Sequence, residues 1–378
     1  VSRPPPESPR PPTNYWDYIK VEELLALQTG VDGDEQLLSD DEVRFIVVHQ
    51  IDELWFKLAL RELLAARNLF KQTAVPESAL AGAAQALGRV TLLFRLLAQH
   101  FELMETMRTQ DYLKFRDKLS PASGFQSAQM RELEILLGLD DAQRLPFGAE
   151  GSYRAALRAA DGGESPAQRR VERRAADRPS LKQCVDLWLH RTPIQGSTPE
   201  QAGDPQVVAR FIGAYLQGHE ELHRRSLAEA LAAPALAAAE AARLRARYDG
   251  QLQGARRHLL AEDIQAPERA FRQRLRAAIL FIDSNRELPL LSWPGQILDL
   301  LVATEQSMLV FRQRHARMVE RVIGRRIGTG GSDGVDYLDQ TALQYRVFTE
   351  AWAARTLLLP PELSPPVHDP KWYGLVHE

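Results

Sequence analysis

Cys184 is the only thiol in this 378-residue chain. One cysteine cannot make an internal disulfide or a multi-cysteine zinc or iron–sulfur site, and its scarcity suits a reducing compartment. Long apolar runs are also missing: no stretch is expected to approach the ~18 apolar residues of a membrane span. The net charge is only −3, and no basic stripe stands out, so neither nucleic acid nor membrane is indicated as a partner. Lysine is scarce beside arginine, a bias read as base composition. Convincing alternating strands are scarce too. The opening "VSRPPPESPRPPTN" has no apolar core of the signal-peptide kind; residues 1–13 read as a disordered proline-rich arm, and the expected location is cytoplasmic.

Helical periodicity is what the chain has in quantity, and the sum is an all-α protein. With 44% hydrophobic and 26% charged residues, it can bury a sizeable core. Ser39 followed by Glu42 makes a capping box, and Asp40 and Asp41 favour a helix start, so a helix is expected to run to about Phe70. Over residues 43–60 it is apolar around much of its circumference, which predicts burial between other helices. Further helices are expected over about 77–107 and 128–138, the latter capped by Gly138. Residues 161–180 are charged and poor in apolar side chains, and read as a solvent-facing linker or a weak helix. A peripheral helical pair is expected over 205–262, broken near Pro234. Helices follow at about 267–282 and 294–323, the second opening at Pro294 and ending at Gly324. The expected organisation is one helical domain over 14–360 and a proline-rich tail over 361–378.

Five stretches carry residues with chemistry. His49, in "FIVVHQIDELWFK", shares a helical stripe with Phe45, Glu42, Glu53 and Phe56. It is either a core histidine with its nitrogens hydrogen-bonded or a ligand and proton carrier in an apolar pocket. His315 stands among Phe311, Met308, Met318 and Val319; a lone neutral histidine in such surroundings is what an axial haem ligand requires, or it is an ordinary helix residue. "HEELH" at 219–223 matches the zinc-peptidase pattern, but its charged neighbours and missing third ligand speak against zinc. "GTGGSDG" at 328–334 lacks the Gly-Lys-Ser/Thr of a phosphate loop and reads as a lid or linker presenting Thr329. In "DYLKFRDKLSPASGFQS", Tyr112 and Arg116 lie one turn apart, and an arginine fork is the usual choice for a carboxylate.

The stretches "NYWDYIKVEELLALQTG", "FIVVHQIDELWFK", "ETMRTQDYLKFRDKLSPASGFQS", "RHARMVERVIGRRIGTGGSDGVDYL" and "YRVFTEAW" run in this order from about residue 14 to 355. Together they resemble the tryptophan 2,3-dioxygenase family. The resemblance implies an all-helical homotetramer that uses haem b to insert both atoms of O2 across the indole C2–C3 bond of L-tryptophan, giving N-formyl-L-kynurenine. It implies His315 as the axial ligand of the haem iron. It implies His49 as the catalytic-site residue that bonds the indole N–H, with Phe45 packing on the ring. Arg116, helped by Tyr112, would clamp the substrate carboxylate, and Thr329 would bind the ammonium group with a haem propionate. Ser123 and Gly124 would run beside the haem. Tyr15, Tyr18 and Ile19 match residues that reach into a neighbouring subunit's pocket. Three positions depart from the family's pattern: Phe101 stands where tryptophan is usual, Ile51 where a small hydroxyl residue is usual, and Asp333 where the lid has a second serine. Since pocket wall and lid set preference, a substituted tryptophan is the alternative substrate. A relative that inserts one oxygen into it would share the same clamps.

Overall fold

The computed structural model describes residues 13–120, 124–146, 153–159, 162–232, 237–326 and 334–374. No β-strand occurs among them; an isolated bridge joins Ile194 and Ser197. Two short turns open the chain, α1 (Tyr15–Tyr18) and α2 (Val21–Leu25). The long helices α3 (Asp40–Phe70) and α4 (Glu77–Met104) follow, then α5 (Thr109–Phe115), α6 (Ala128–Leu137), α7 (Tyr153–Ala156), α8 (Pro166–Ala176) and α9 (Leu181–Arg191). The second half comprises α10 (Asp204–Leu231), α11 (Ala238–Leu259), α12 (Ala266–Ser284), α13 (Pro289–Ile323), α14 (Val335–Gln344) and α15 (Thr349–Leu357).

Local chemistry sets the ends of the site-bearing helices. The Ser39 hydroxyl accepts from the Glu42 N–H at 3.3 Å and starts α3, while the Glu42 carboxylate turns to Lys118 at 3.3 Å. Ser127 caps α6 by accepting from Met130 N–H, and Gly138 ends it at φ 117°, a backbone state that a side chain would strain. α13 begins earlier than its sequence pattern suggests, at Pro289, and carries Pro294 inside. The prolyl nitrogen has no hydrogen for the Leu290 carbonyl, but Leu290 lies in the first turn and is exposed, so the helix loses one bond near its end rather than in its buried middle.

α4 is the middle of three long helices and packs along both α13 and α3. Leu87, Val90, Phe94 and Leu97 on it are fully buried. This double packing corrects one expectation: α4 has the length and mean apolarity of a membrane-crossing helix, because a helix covered on two sides is apolar over a wide arc. α3 and α13 meet mainly where Phe56 and Phe311 make an edge-on contact, ring centroids 5.9 Å apart. Beyond that point they diverge, and α6 and α14 close the gap.

The charged segment before residue 180 is a docked helix. α8 buries Val171 against α6; Arg170 donates to Glu132 at 2.9 Å, Arg174 to Asp177 just past the helix at 2.7 Å, and Asp177 also accepts from Arg67 of α3 at 3.0 Å. The region expected to be a tail also docks, through the turns Pro361–Leu363 and Pro370–Tyr373. Tyr373 is buried; its hydroxyl donates to the Pro193 carbonyl at 3.1 Å and accepts from Gly196 N–H at 2.9 Å. Residues 1–12 and 375–378, the outer parts of the expected arm and tail, lie outside the described residues.

The docking depends on Gly218 of α10, where a Cβ would stand 2.4 Å from the Leu363 carbonyl oxygen and 2.6 Å from Leu359 Cδ1. Gly213 on the same helix has nothing within 4 Å of its would-be Cβ. The two glycines therefore respond with opposite sign. Gly213→Ala is expected to stabilise by about 0.5–1 kcal/mol, the usual helix-interior gain, and Gly218→Ala to destabilise by about 1–3 kcal/mol through overpacking. Denaturant midpoints of the two variants check this.

Candidate active site

The gap between α3 and α13 is a cavity of about 470 Å³. α3 contributes Phe45, His49, Asp52, Glu53 and Phe56, one face of the helix at i, i+4, i+7, i+8 and i+11 spacing. Phe101 and Met104 come from the end of α4, and Tyr112 from α5. Phe311, Arg312, His315, Met318 and Val319 come from α13. Most of the wall is thus apolar, with two imidazoles on facing helices.

His49 has a fixed tautomer. Its Nδ1 lies 2.7 Å from the Phe45 carbonyl oxygen, which can only accept, so in the neutral ring Nδ1 carries the hydrogen and Nε2 is left as an acceptor. The Phe45 ring lies over it, centroids 4.1 Å apart, and extends the contact to Tyr112 and Phe115 at 6.3 and 5.6 Å. Burial pushes the Tyr112 hydroxyl up, and that hydroxyl has no hydrogen-bond partner among the described residues.

His315 is the opposite case. Burial, with smaller contributions from His49 and Arg312, lowers it to about 4. It is therefore neutral at pH 7, with lone-pair character available for a ligand. No described residue hydrogen-bonds its ring; Phe101 stacks on it at 5.2 Å and 13°, and Phe311 at 6.2 Å.

One wall is cationic. The fully buried Glu134 of α6 accepts from Arg131 at 2.8 Å, from Arg144 at 2.5 Å and from Arg312 at 2.5 Å. Burial alone would raise its carboxyl, but the three guanidinium groups outweigh that and hold it well below the usual carboxylate range. Arg144 also bonds Asp141 at 3.1 Å, whereas Arg131 and Arg312, two cations on the one Glu134 carboxylate, line the cavity together with Tyr337 and leave it positive charge. None of these was read from the sequence as a site residue. The available signal was an Arg–Glu pair at i, i+3 inside the apolar stretch "AQMRELEILLG", and an arginine one turn before His315.

The structure gathers Phe45, His49, Phe101, Tyr112, Gly124 and His315 around one cavity. Arg116 opens the 3₁₀ turn that follows α5, half-buried and close enough to Tyr112 to act on its hydroxyl, but does not line the cavity. Ser123, Thr329 and Asp333 lie outside the described residues; Gly334, where the chain is described again, lines the cavity. Tyr15, Tyr18 and Ile19 are 74%, 78% and 42% exposed, away from this chain's own cavity. In "HEELH", His219 is a packing residue: its ring donates through Nε2 to the Leu357 carbonyl at 2.8 Å. No group of three His, Cys, Asp or Glu side chains among the described residues can hold a metal ion.

Comparison with known proteins adds the family. The model of the family described as Tryptophan 2,3-dioxygenase matches residues 7–358. The chain is 56% identical over 364 residues to a tryptophan 2,3-dioxygenase of Sorangium cellulosum, covering 96% of this chain and 87% of that protein. It is 51% identical over 370 residues to tryptophan 2,3-dioxygenase 2 of Ralstonia nicotianae, covering 97% and 99%. Against tryptophan 2,3-dioxygenase B of Danio rerio the identity is 32% over 362 residues, covering 94% and 85%. With its all-helical fold and a family match over nearly its whole length, this chain belongs to the tryptophan 2,3-dioxygenase family of oxidoreductases.

Proposed function

We propose that the chain oxygenates L-tryptophan across the indole C2–C3 bond to give N-formyl-L-kynurenine, with haem b in the α3–α13 cavity and His315 as its axial ligand. The observation that carries this reading is the pair of imidazoles, one neutral and without a hydrogen-bond partner among the described residues, opening on one apolar cavity from facing helices. The donor set fits the cofactor. His315, a single neutral imidazole, would hold the haem iron, and the mostly apolar slot would hold the macrocycle. The excess positive charge of Arg131 and Arg312 over Glu134, with the Tyr337 hydroxyl, suits the two propionates. When bound, the haem iron would supply binding and activation of dioxygen.

The protein's own work is orientation. His49 Nε2, freed as an acceptor by the Phe45 carbonyl, takes the indole N–H, and the Phe45 ring packs on the indole. Arg116 and the Tyr112 hydroxyl would take the carboxylate, and Thr329, outside the described residues, would take the ammonium group. Tryptophan plus O2 equals the product atom for atom, so no net proton has to enter or leave and His49 need only hold the ring. Exposed Tyr15, Tyr18 and Ile19 suit a homotetramer in which this segment covers a neighbour's pocket. The buried, unpaired Cys184 suits a cytoplasmic setting.

His315→Ala is expected to purify with almost no haem under conditions that load the parent chain, read from the optical spectrum; a variant with full haem would overturn the ligand assignment. His49→Ala should keep its haem and lose about tenfold to a hundredfold in kcat/KM for tryptophan. Because the lost contact is to N1–H, its discrimination against 1-methyl-tryptophan should shrink by a similar factor. Unchanged discrimination would remove His49 from the site. Arg116→Ala should raise KM by about tenfold or more, with kcat less affected, through the lost charged hydrogen bonds. Product mass decides the reaction itself: two oxygen atoms gained supports it, and one gained overturns it.

A further inference from the structure

Asp52 is a charged group of the cavity wall with no part in the mechanism above. Its position is defined by α4: His100 Nδ1–H donates to Asp52 Oδ1 at 3.1 Å, and Trp55 packs on the His100 ring at 5.3 Å. The second carboxylate oxygen has no hydrogen-bond partner among the described residues. The residue is 7% exposed and lines the cavity one helical turn beyond His49. The neighbouring ionic groups of the wall are committed elsewhere. Glu53 accepts from Gln129 at 2.7 Å, and Arg131 and Arg312 are bonded to Glu134.

We infer that Asp52 is a specificity-determining residue whose free carboxylate oxygen accepts a hydrogen bond from a donor, such as a hydroxyl, at C6 or C7 of the substrate's indole ring. The inference rests on the proposed tryptophan reading and follows from direction along α3. Phe45 meets Tyr112 and Phe115, the residues next to Arg116, so the amino-acid end of the substrate belongs at the N-terminal end of this face. His49, one turn on, takes N1–H. In indole, C7 and C6 lie beyond N1 as seen from the side chain on C3, so the ring continues toward Asp52, about 4.5 Å further along the axis. Unsubstituted tryptophan leaves this oxygen to a trapped water or unpaired, whereas a C6 or C7 hydroxyl satisfies it. Burial pushes the Asp52 carboxyl up in spite of the His100 bond, as befits a carboxylate short of donors.

The test compares the holoenzyme with D52N and D52S, using L-tryptophan and its 4-, 5-, 6- and 7-hydroxy derivatives. Dissociation constants come from spectral titration and kcat/KM from turnover. The parent enzyme is expected to bind the 6- or 7-hydroxy compound about tenfold tighter than the 4-hydroxy compound. In D52S that positional preference should fall about tenfold, with D52N between the two. If Asp52 only ties α3 to α4, the variants lose melting temperature and affinity equally for all hydroxy positions, and the inference fails. A parent enzyme without positional preference overturns it even if neither variant folds. If tryptophan itself is bound but not oxygenated, the underlying reading fails, while the titrations still decide the role of the carboxylate.

Discussion

The cavity exists because α4 keeps α3 and α13 apart. Each outer helix packs on the middle one, and they approach each other closely only where Phe56 meets Phe311. A third helix of this length between two others would ordinarily give a filled bundle. Here, beyond that contact, α3 and α13 line a cavity of about 470 Å³ from opposite sides. His49 and His315 thereby open on one space. Phe101, at the end of α4, supports the His315 ring without donating to it, and the imidazole keeps its lone pair for a ligand.

Buried charge fixes the walls around that space. Glu134 binds three guanidinium groups from three segments, α6, the loop after it and α13. Elsewhere Arg274 of α12 bonds Asp204 at 2.9 Å and the carbonyls of Thr192 and Ser197 at 3.1 and 3.0 Å. Such groups add little net stability over an apolar core, but each tolerates only one arrangement of its partners. The Asp204 group is balanced. The Glu134 group is not, and its surplus of positive charge faces the cavity, so the same interactions that lock α6 to α13 give the pocket its polarity. Asp52 sits on the opposite helix with its own spare acceptor, and the cavity is therefore polar at defined points in an otherwise apolar wall.

Much of this was legible in the sequence. The Ser39 cap, the Gly138 stop and the apolar periodicity of residues 43–60 gave helix positions within a few residues, because capping and amphipathicity are local. The pattern around His49 and His315 marked both as candidates, yet left each between a core role and a ligand role, since spacing says nothing about what faces an imidazole. The expectations that gave way did so for tertiary reasons. Residues 161–180 read as a solvent-facing linker or a weak helix; the helix is there as α8, but it is docked. Its one core residue, Val171, gave little sign of that among charged neighbours such as Arg170, whose partner Glu132 is far away in sequence. α4 passes for a membrane span on composition because two other helices cover it. α13 runs through Pro294 because the bond that the proline removes falls on Leu290 in the exposed first turn.

By itself the sequence determined that the chain is helical, where its long helices lie, and which family it resembles, because these rest on local periodicity and on runs of residues read in order. Only the tertiary structure decided that His315 has no hydrogen-bond partner among the described residues while His49 is tied to the Phe45 carbonyl, and that His219 is a packing residue. It alone decided that Arg131, Arg312 and Glu134 form one buried charge cluster beside the cavity. Those outcomes depend on which atoms long-range packing brings within about 3 Å of each ring or carboxylate, and no spacing along a single helix contains that information.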